Sequence, residues 1–591
     1  MLPDVAGIDR PFDYVVPSEL DDRVGVGTRV RISLHGRRVG GWVVADRVTP
    51  PEGVALRPIA RVSGLGPGPD VVELAGWAAW RWAGRTGAFL ATASPPRAVH
   101  DLPARGRRAG GGPVSGNRGD LEEGVVAEAL AQARTVVRLP PASDPFPLVE
   151  AAIAGSADGA AALVIVPSQE WAARTADRLR RRGRPVALLP DAWADAAAGG
   201  CVVVGTRSAA WAPAPDLSAV VVLDAHDEAH GEERAPTWNA WVAAAERAER
   251  RGAPCLLVSP CPVLEALAWG RLVTVSRRAE RQGWAPLEVV DRRKEDPRSG
   301  LFSERLVAVA RGAGTGAADR VVCVLNRTGR GRLLACGACG ELARCERCEG
   351  PLAQTDSPGR PPGPAVATDV LRCRRCGEER PDVCAACGAR RWRVLRPGVA
   401  RVREELEALA GKPVGEVSSQ TAEGTDAPLV VGTEAVLHRV RAVGTVVFLD
   451  FDQELLAPRY RAAEQALALL ARASRVVGGR TGRGRILVQT RLPGNEVIDA
   501  ALHADPGRLA AADAERRSAL GFPPATALAL VSGPSAGAYV AGLEAHPVEV
   551  LGAGDGRWLV RAPDHRVLCD ALAAVPRSPG RLRVEVDPPR A

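Results

Sequence analysis

The chain has 591 residues, too many for one hydrophobic core, so about three to five domains are expected. Apolar residues make up 46% of it and charged residues 25%, proportions that exclude wholesale disorder, and no apolar run reaches the roughly 18 residues of a membrane span. The formal charge of +8 rests on arginine, because Lys294 and Lys412 are the two lysines among 77 basic residues. Arginines cluster at Arg178, Arg180, Arg181, Arg182 and Arg184, at Arg372, Arg374 and Arg375, and at Arg390, Arg391 and Arg393; such clusters suit phosphate backbones or solvated helix faces. Asp4, Asp9, Arg10 and Asp13 stand where a signal peptide needs an apolar stretch, so a soluble, cytoplasmic protein that is not secreted is expected.

Residues 1–100 alternate short β-like runs, Thr28–Leu34 and Gly40–Ala45, with Pro and Gly turns, then give a Trp-rich helical stretch near Val71–Gly84. Arg105 to Gly119 reads RGRRAGGGPVSGNRG, a linker composition. Next come a strand at Ala161–Val166, a helix at Gln169–Arg182, strands at Cys201–Val204 and Val220–Leu223, a helix at Ala240–Arg251 and a strand at Cys255–Val258. This is the rhythm of a parallel α/β sheet. A second set opens at Arg320–Leu325, is interrupted by a cysteine segment, and resumes with Val399–Leu409, Leu429–Val431, Val446–Leu449 and Arg485–Gln489. From about Pro506 a smaller α+β unit runs to a last strand, Arg581–Val586.

Eight of the 13 cysteines form four C-x-x-C pairs: Cys336/Cys339, Cys345/Cys348, Cys373/Cys376 and Cys384/Cys387. A two-residue spacer lets two thiolates reach one tetrahedral metal, and a following Gly allows the tight turn that aims backbone N–H groups at sulfur. Gly340, Gly377 and Gly388 fill that place in three pairs, while in the fourth Glu349-Gly350 displaces it by one. The expected reducing compartment disfavours disulfides, so two zinc ions are expected. Five residues separate the first two pairs and seven the last two, which strains sequential pairing. A nested arrangement puts Cys336, Cys339, Cys384 and Cys387 on one zinc and Cys345, Cys348, Cys373 and Cys376 on the other, with 349–372 as a hairpin. Cys201, Cys255, Cys261, Cys323 and Cys569 lack such spacing and read as buried thiols.

Across nearly its full length the chain resembles the primosomal replication-restart family PriA. The resemblance is carried by IDRPFDYVVP and GTRVRISLHGRRVGGWVV near the start, by VVGTRSAAWAPAPDLSAVVVLDAH, by the cysteine order within VLNRTGRGRLLACGACGELARCERCEGPL, and by ERRSALGFPP and RLRVEVDPP near the end. It implies two RecA-like parallel-sheet lobes of superfamily-two helicase type, an N-terminal β-rich DNA-binding domain, a zinc-ribbon insertion and a C-terminal α+β domain. The expected boundaries are 1–102 for the 3′-end-binding domain, 103–125 for a linker whose winged helix is missing or vestigial, 126–300 for lobe 1, 318–500 for lobe 2 with the insertion at 334–393, and 501–591 for the C-terminal domain. Phe12, Asp13 and Tyr14 match the family's signature for a 3′-terminal nucleotide, with Gly36 and Arg57 as a close-approach glycine and a basic partner. An aromatic stacks a base and a carboxylate accepts from a hydroxyl or base edge, although a barrel core and a turn would use the same residues.

Departures from the family centre on nucleotide chemistry. A P-loop needs glycines, so that N–H groups wrap phosphate, and a lysine. Here the corresponding place reads Arg138-Leu139-Pro140-Pro141-Ala142-Ser143-Asp144-Pro145, and no lysine precedes Lys294. DEAH occurs literally at Asp227–His230, but the family register puts Leu223-Asp224-Ala225-His226 at the active place. His226 and His230 at i, i+4 also invite a metalloprotease reading, which the local strand-to-loop pattern disfavours. Ser259–Pro262 replaces a coupling motif, and Arg472–Gly479 loses the aligned finger arginines, with Arg475, Arg480 and Arg483 nearby. The expectation is a monomeric restart factor that is not an enzyme, has no catalytic residues and is without helicase activity of its own; ATP is doubtful as its cofactor. Its expected partners are forked and single-stranded DNA, single-stranded-DNA-binding protein, primosome loader proteins and the replicative helicase, with no membrane. The rival readings are an active ATP-dependent 3′→5′ helicase with a non-standard nucleotide site and a general zinc-ribbon nucleic-acid binder.

Overall fold

The computed structural model describes all residues except 6, 51–52, 54, 107–122, 156–159, 296–299, 326–333, 355–369, 374–375, 395–398, 418–421, 424–425, 441, 555, 578–579 and 591. The chain forms two compact units, one made of Met1–Arg138, Asp144–Val275 and Arg517–Pro588, the other of Leu139–Ser143, Ser276–Arg516 and Pro589–Ala591. Most of the stretch expected to be a linker, 103–125, lies outside the described residues.

The first unit begins with short strands β1 (Leu2–Pro3), β2 (Tyr14–Val15), β3 (Arg29–Leu34), β4 (Arg37–Trp42), β5 (Arg57–Pro58) and β6 (Arg61–Gly64). An antiparallel sheet runs β1-β4-β3-β6, and β2 pairs with β5 in parallel. RVRISL in β3 alternates with period two, so Val30 and Ile32 enter a small core with Met1, Val43 and Ile59 while Arg29, Arg31 and Ser33 share the opposite face. His35 (φ +48°) and Gly36 (φ +76°) make the two-residue β3–β4 turn, whose left-handed positions match strand twist.

Two helices follow, α1 (Pro69–Arg81) and α2 (Thr86–Ala93). Pro69 opens α1, and Val71, Leu74, Ala75 and Ala78 form its buried stripe. The expected Trp-rich helix is therefore present but ends at Arg81 rather than Gly84, because Ala83 takes a left-handed φ of +44°. Its tryptophans begin an aromatic chain: Trp77–Trp82, Trp82–Phe89, Phe89–Trp211 and Trp211–Trp238 have ring centroids 5.3, 6.1, 5.1 and 5.4 Å apart.

Seven parallel strands form the α/β sheet of this unit, in the order Arg271–Thr274, Arg134–Arg138, Cys255–Ser259, Leu217–Leu223, Ala161–Ile165, Val202–Gly205 and Val186–Leu188. Apolar runs such as AALVI at Ala161–Ile165 are buried throughout, as central parallel strands must be. Ser168 and Asn239 cap the helices Gln169–Arg181 and Ala240–Arg250 by accepting from Trp171 N–H and Trp241 N–H. The C-terminal sheet is antiparallel, ordered Glu549–Gly552, Trp558–Ala562, Ala527–Ser532 and Arg583–Val586, and its helix His565–Ala574 packs on α1.

Helix α1 is fastened at both ends by ion pairs. Asp70 meets Arg247 and Arg251 of the α/β sheet's helical layer, each at 3.3 Å, and Arg81 meets Asp587 at 2.6 Å. Trp80 donates to Asp570 at 2.9 Å, and His565 Nε2 lies 2.8 Å from Asp587. Burial alone would push the Asp587 carboxyl up; Arg81 and His565 overcome it and hold the group far below the usual carboxylate range.

The second unit holds another sheet, ordered Leu287–Asp291, Arg485–Thr490, Thr445–Phe448, Val321–Val324, Leu429–Gly432, Val414–Val417 and Ala422–Glu423, parallel except for the last pair. The cysteine segment lies in sequence between Val321–Val324 and the helix Val399–Ala410. Outside that segment Cys201, Cys255, Cys261, Cys323 and Cys569 are buried, and burial pushes the Cys255 and Cys323 thiols up to about 12.

Candidate nucleic-acid interface and metal centres

The parallel pair β2–β5 brings Tyr14 and Arg57 together, with Phe12 and Asp13 just before it in the chain. Phe12 is half-buried; its N–H donates to the Met1 carbonyl at 2.8 Å, and the Arg10 guanidinium lies 4.9 Å from its ring centre. Asp13 follows, half-buried, and Tyr14 in β2 is the direct partner of Arg57 in β5. The Tyr14 hydroxyl donates to the Ser33 carbonyl at 2.9 Å, which ties this strip to the hairpin carrying Gly36. Burial raises the Tyr14 phenol above its ordinary value and the Arg57 charge opposes the shift. A Cβ on Gly36 would meet nothing within 4 Å, so its φ of +76°, rather than crowding, requires glycine there.

Arginines Arg31, Arg37, Arg38 and Arg61, which sequence reasoning did not single out, are exposed on the same sheet. Their signal was the alternation of RVRISL and the run Arg37-Arg38 across the turn. The cluster at 178–184 has a different setting. Arg178 pairs with Asp144, Arg180 with Asp177 and Arg182 with Glu150, at 2.7, 3.2 and 3.2 Å, so it forms a solvated, ion-paired helix face.

The eight cysteines converge as two tetrads, Cys336, Cys339, Cys384 and Cys387 in one and Cys345, Cys348, Cys373 and Cys376 in the other, with sulfurs within 4.8 Å of one another in each. Cross-pair sulfur separations are 3.5 Å for Cys336–Cys387, 3.6 Å for Cys339–Cys384 and 3.5 Å for both Cys345–Cys376 and Cys348–Cys373. A disulfide would need about 2.0 Å. Four thiolates bonded at about 2.3 Å to a tetrahedral ion sit roughly 3.8 Å apart, so each tetrad can hold a metal ion. Leu334–Cys336 pairs antiparallel with Trp392–Val394, and Leu352–Gln354 with Val370–Cys373, which draws distant knuckles together.

All four knuckles share one backbone turn. Gly340, Glu349, Gly377 and Gly388 N–H groups donate to Cys336, Cys345, Cys373 and Cys384 carbonyls at 2.9, 2.9, 3.0 and 2.8 Å. This corrects the reading of the second knuckle: the turn is not displaced to Gly350, because Glu349 itself takes the left-handed conformation at φ +56°. A non-glycine residue there stores about 1–2 kcal/mol of strain. Burial opposes ionisation of Cys336, yet N–H donors from Cys339 and Ala338 and the neighbouring thiols bring its pKa down to about 7.

The literal DEAH segment lies just after the strand Leu217–Leu223. Asp227 accepts from Ala229 N–H at the start of a short turn, Glu228–His230. His230 is fully buried with Nε2 3.0 Å from the Leu223 carbonyl, and burial lowers its pKa. His226 instead meets Ser259 Oγ through Nδ1 at 2.9 Å, so the two histidines engage different partners, and no metal-ligating cluster among the described residues includes either. At the place compared with a P-loop, Asp144 accepts from Phe146 N–H at 3.1 Å, and Arg475 Nε donates to the Pro141 carbonyl at 2.9 Å.

Parallel-sheet lobes, a β-rich N-terminal domain and two cysteine tetrads that could each hold a metal ion mark a DNA-binding protein of helicase-like fold. Residues 2–95 match the family model described as the 3′ DNA-binding domain (3'BD). Relatives described as probable replication restart protein PriA are 31% identical in Mycobacterium bovis, covering 98% of this chain and 91% of the relative, and 30% identical in Mycobacterium leprae, covering 90% and 86%. The chain belongs to the PriA replication restart family. Replication restart protein PriA of Thermotoga maritima is 28% identical over 56% of this chain and 46% of its own length. RecG bound to a three-way DNA junction aligns at a TM-score of 0.36 and 12% identity over 66% of this chain and 46% of that one.

Family membership overturns one expectation. The reading of the chain as no enzyme does not stand, because the family is of helicase type and the chain carries both α/β lobes of that type. The error came from treating individual nucleotide motifs as decisive when the whole chain aligns with its relatives.

Proposed function

We propose that this protein recognises forked DNA through the free 3′ end of a nascent strand and promotes reloading of the replicative helicase at the fork. The observation that carries this reading is the Phe12–Asp13–Tyr14 strip beside Arg57 and tied to the Gly36 hairpin, within residues matched by the 3′ DNA-binding model. Phe12 stacks on the last base, Asp13 accepts from the terminal hydroxyl or base edge, Arg57 offsets phosphate charge, and the turn at Gly36 lets the strand approach closely. Both tetrads hold zinc, since four thiolates at tetrahedral spacing suit that ion and its binding contributes folding free energy directly.

The proposed organisation is a 3′-end domain at 1–102, a linker at 103–125, lobe 1 at 126–300, lobe 2 at 318–500 with the zinc insertion at 334–393, and a C-terminal domain at 501–591. Separate sheets support the division, except that Leu287–Asp291, inside 126–300, pairs with Arg485–Thr490 and so belongs to the sheet of lobe 2. The protein acts as a monomer in the cytoplasm, associated with the nucleoid. Its partners are single-stranded-DNA-binding protein, primosome loader proteins and the replicative helicase, in addition to forked and single-stranded DNA. No helix among the described residues is long and apolar enough to cross a membrane.

Binding is tested with forks whose nascent strand ends at the branch in a 3′ hydroxyl or a 3′ phosphate. The protein is expected to prefer the hydroxyl, and Asp13→Ala to erase the preference while general affinity stays. Equal weakening of fork, blunt duplex and single strand by Asp13→Ala would show that the residue is structural. ATP hydrolysis and strand separation are measured on the same forks.

A further inference from the structure

The register of the N-terminal sheet points to a second nucleic-acid site, on the face opposite the small core, that takes the phosphate backbone of duplex DNA through Arg31, Arg38 and Arg61. It rests on the reading of this domain as DNA-binding but concerns a surface separate from the 3′-end strip.

In antiparallel pairs, directly opposed residues share a face. Arg31 in β3 lies opposite Gly40 in β4 and opposite Arg61 in β6, while Ser33 lies opposite Arg38. The three arginines therefore sit on one face, exposed, and among the described residues none has a side-chain partner. Like charges directly opposite one another destabilise a sheet, so the Arg31–Arg61 pair is an arrangement the fold alone does not favour and a polyanion would relieve. Gly40 is the second observation. A Cβ there would meet only the Asp4 Cβ, at 4.0 Å, so packing does not demand glycine, and a floor without a side chain lets a backbone approach closely. Trp42, on the same face, is buried and donates to Ser94 Oγ at 2.9 Å, so the described residues of this face offer no aromatic surface for unstacked bases. A single strand needs such stacking and a duplex backbone does not, so the occupant is duplex. Asp4, whose N–H donates to the Gly40 carbonyl, is the acidic residue bordering this row.

Affinity is measured by anisotropy against salt for a duplex closed by hairpin loops, which has no 3′ end, for single-stranded DNA and for the fork with a free 3′ end. The combined Arg31→Gln, Arg38→Gln and Arg61→Gln variant is expected to lower the slope of log K against log salt for closed duplex by about 2.7, from three lost phosphate contacts. Arg61→Gln alone is expected to weaken closed duplex while raising Tm, because a like-charge contact is removed; a purely structural arginine would lower Tm. Gly40→Val is expected to weaken closed duplex without loss of fold, and Arg134→Gln, paired with Glu249, to leave the slope unchanged. An unchanged slope in the triple variant, or a change confined to single strands, would overturn the assignment. Loss of the wild-type preference for a free 3′ end would instead sink the 3′-end reading and leave the duplex result to stand on its own.

Discussion

The first sheet and the helix next to it in the chain place arginine in opposite settings. Arg31, Arg38 and Arg61 are exposed, with no side-chain partner among the described residues, on strands whose other face forms a core. Arg81, at the end of α1, is 8% exposed at its side chain and clamps Asp587. Arg247, 2% exposed, and Arg517, 2% exposed, are likewise paired, with Asp70 and Glu265. A buried guanidinium must have a partner because desolvation is too costly otherwise, so its partner shows what it holds together. An exposed arginine pays no such penalty, and a set of them left unpaired on one regular face marks a surface shaped for an anionic ligand. The comparison separates arginine as a fastener from arginine as a receptor within one unit.

The cysteine module carries the fastening principle to its limit, and metal removal has the largest expected effect. Chelation should unfold 334–394 while both parallel sheets keep their protection in hydrogen exchange, since structural zinc contributes on the order of 10–16 kcal/mol to such modules. Retained protection across Leu334–Cys336 and Trp392–Val394 in metal-free protein would contradict this. Next comes Arg81→Ala, which leaves Asp587 in poor solvent and should cost about 3–5 kcal/mol in denaturant unfolding. Arg31→Ala should stay within about 0.5 kcal/mol. Equal costs at the two positions would break the comparison.

Acid sharpens it further. Arg81 and His565 hold the Asp587 carboxyl down against burial, so its contribution is fully present above the unfolded carboxylate value of about 3.9 and is lost as pH falls through the lower folded value. Stability should therefore fall on acidification below about pH 4, and Arg81→Gln should flatten that limb. The smallest effect is a gain. Glu349→Gly relieves a left-handed residue and should raise the module's stability by about 0.5–1 kcal/mol, read as slower metal loss to a chelator.

Much of this was legible in the sequence where a short pattern fixes a local outcome. The apolar runs at Ala161–Val166 and Cys201–Val204 read as strands and are buried ones, the patterns at 169–182 and 240–251 read as helices and are, and the C-x-x-C spacing gave the two tetrads. What failed depended on conformation or distance. Glu349 reads as an ordinary surface residue, and only the shared Cys-carbonyl turn shows that it occupies a glycine position. Strands β1 and β2 are two residues each, too short for any period, and exist because β4 and β5 supply their partners. Arg81 and Asp587 are 506 residues apart, and nothing local to either predicts the other.

Arginine-selective modification with a dicarbonyl reagent, read by mass spectrometry with and without a fork bearing a free 3′ end, tests the central contrast most directly. Arg31, Arg38, Arg57 and Arg61 should react quickly in the free protein and be shielded by the fork, while Arg81, Arg247 and Arg517 should react slowly in both states. Modification of the first set that is indifferent to DNA, or buried arginines that react as fast as exposed ones, would contradict the account.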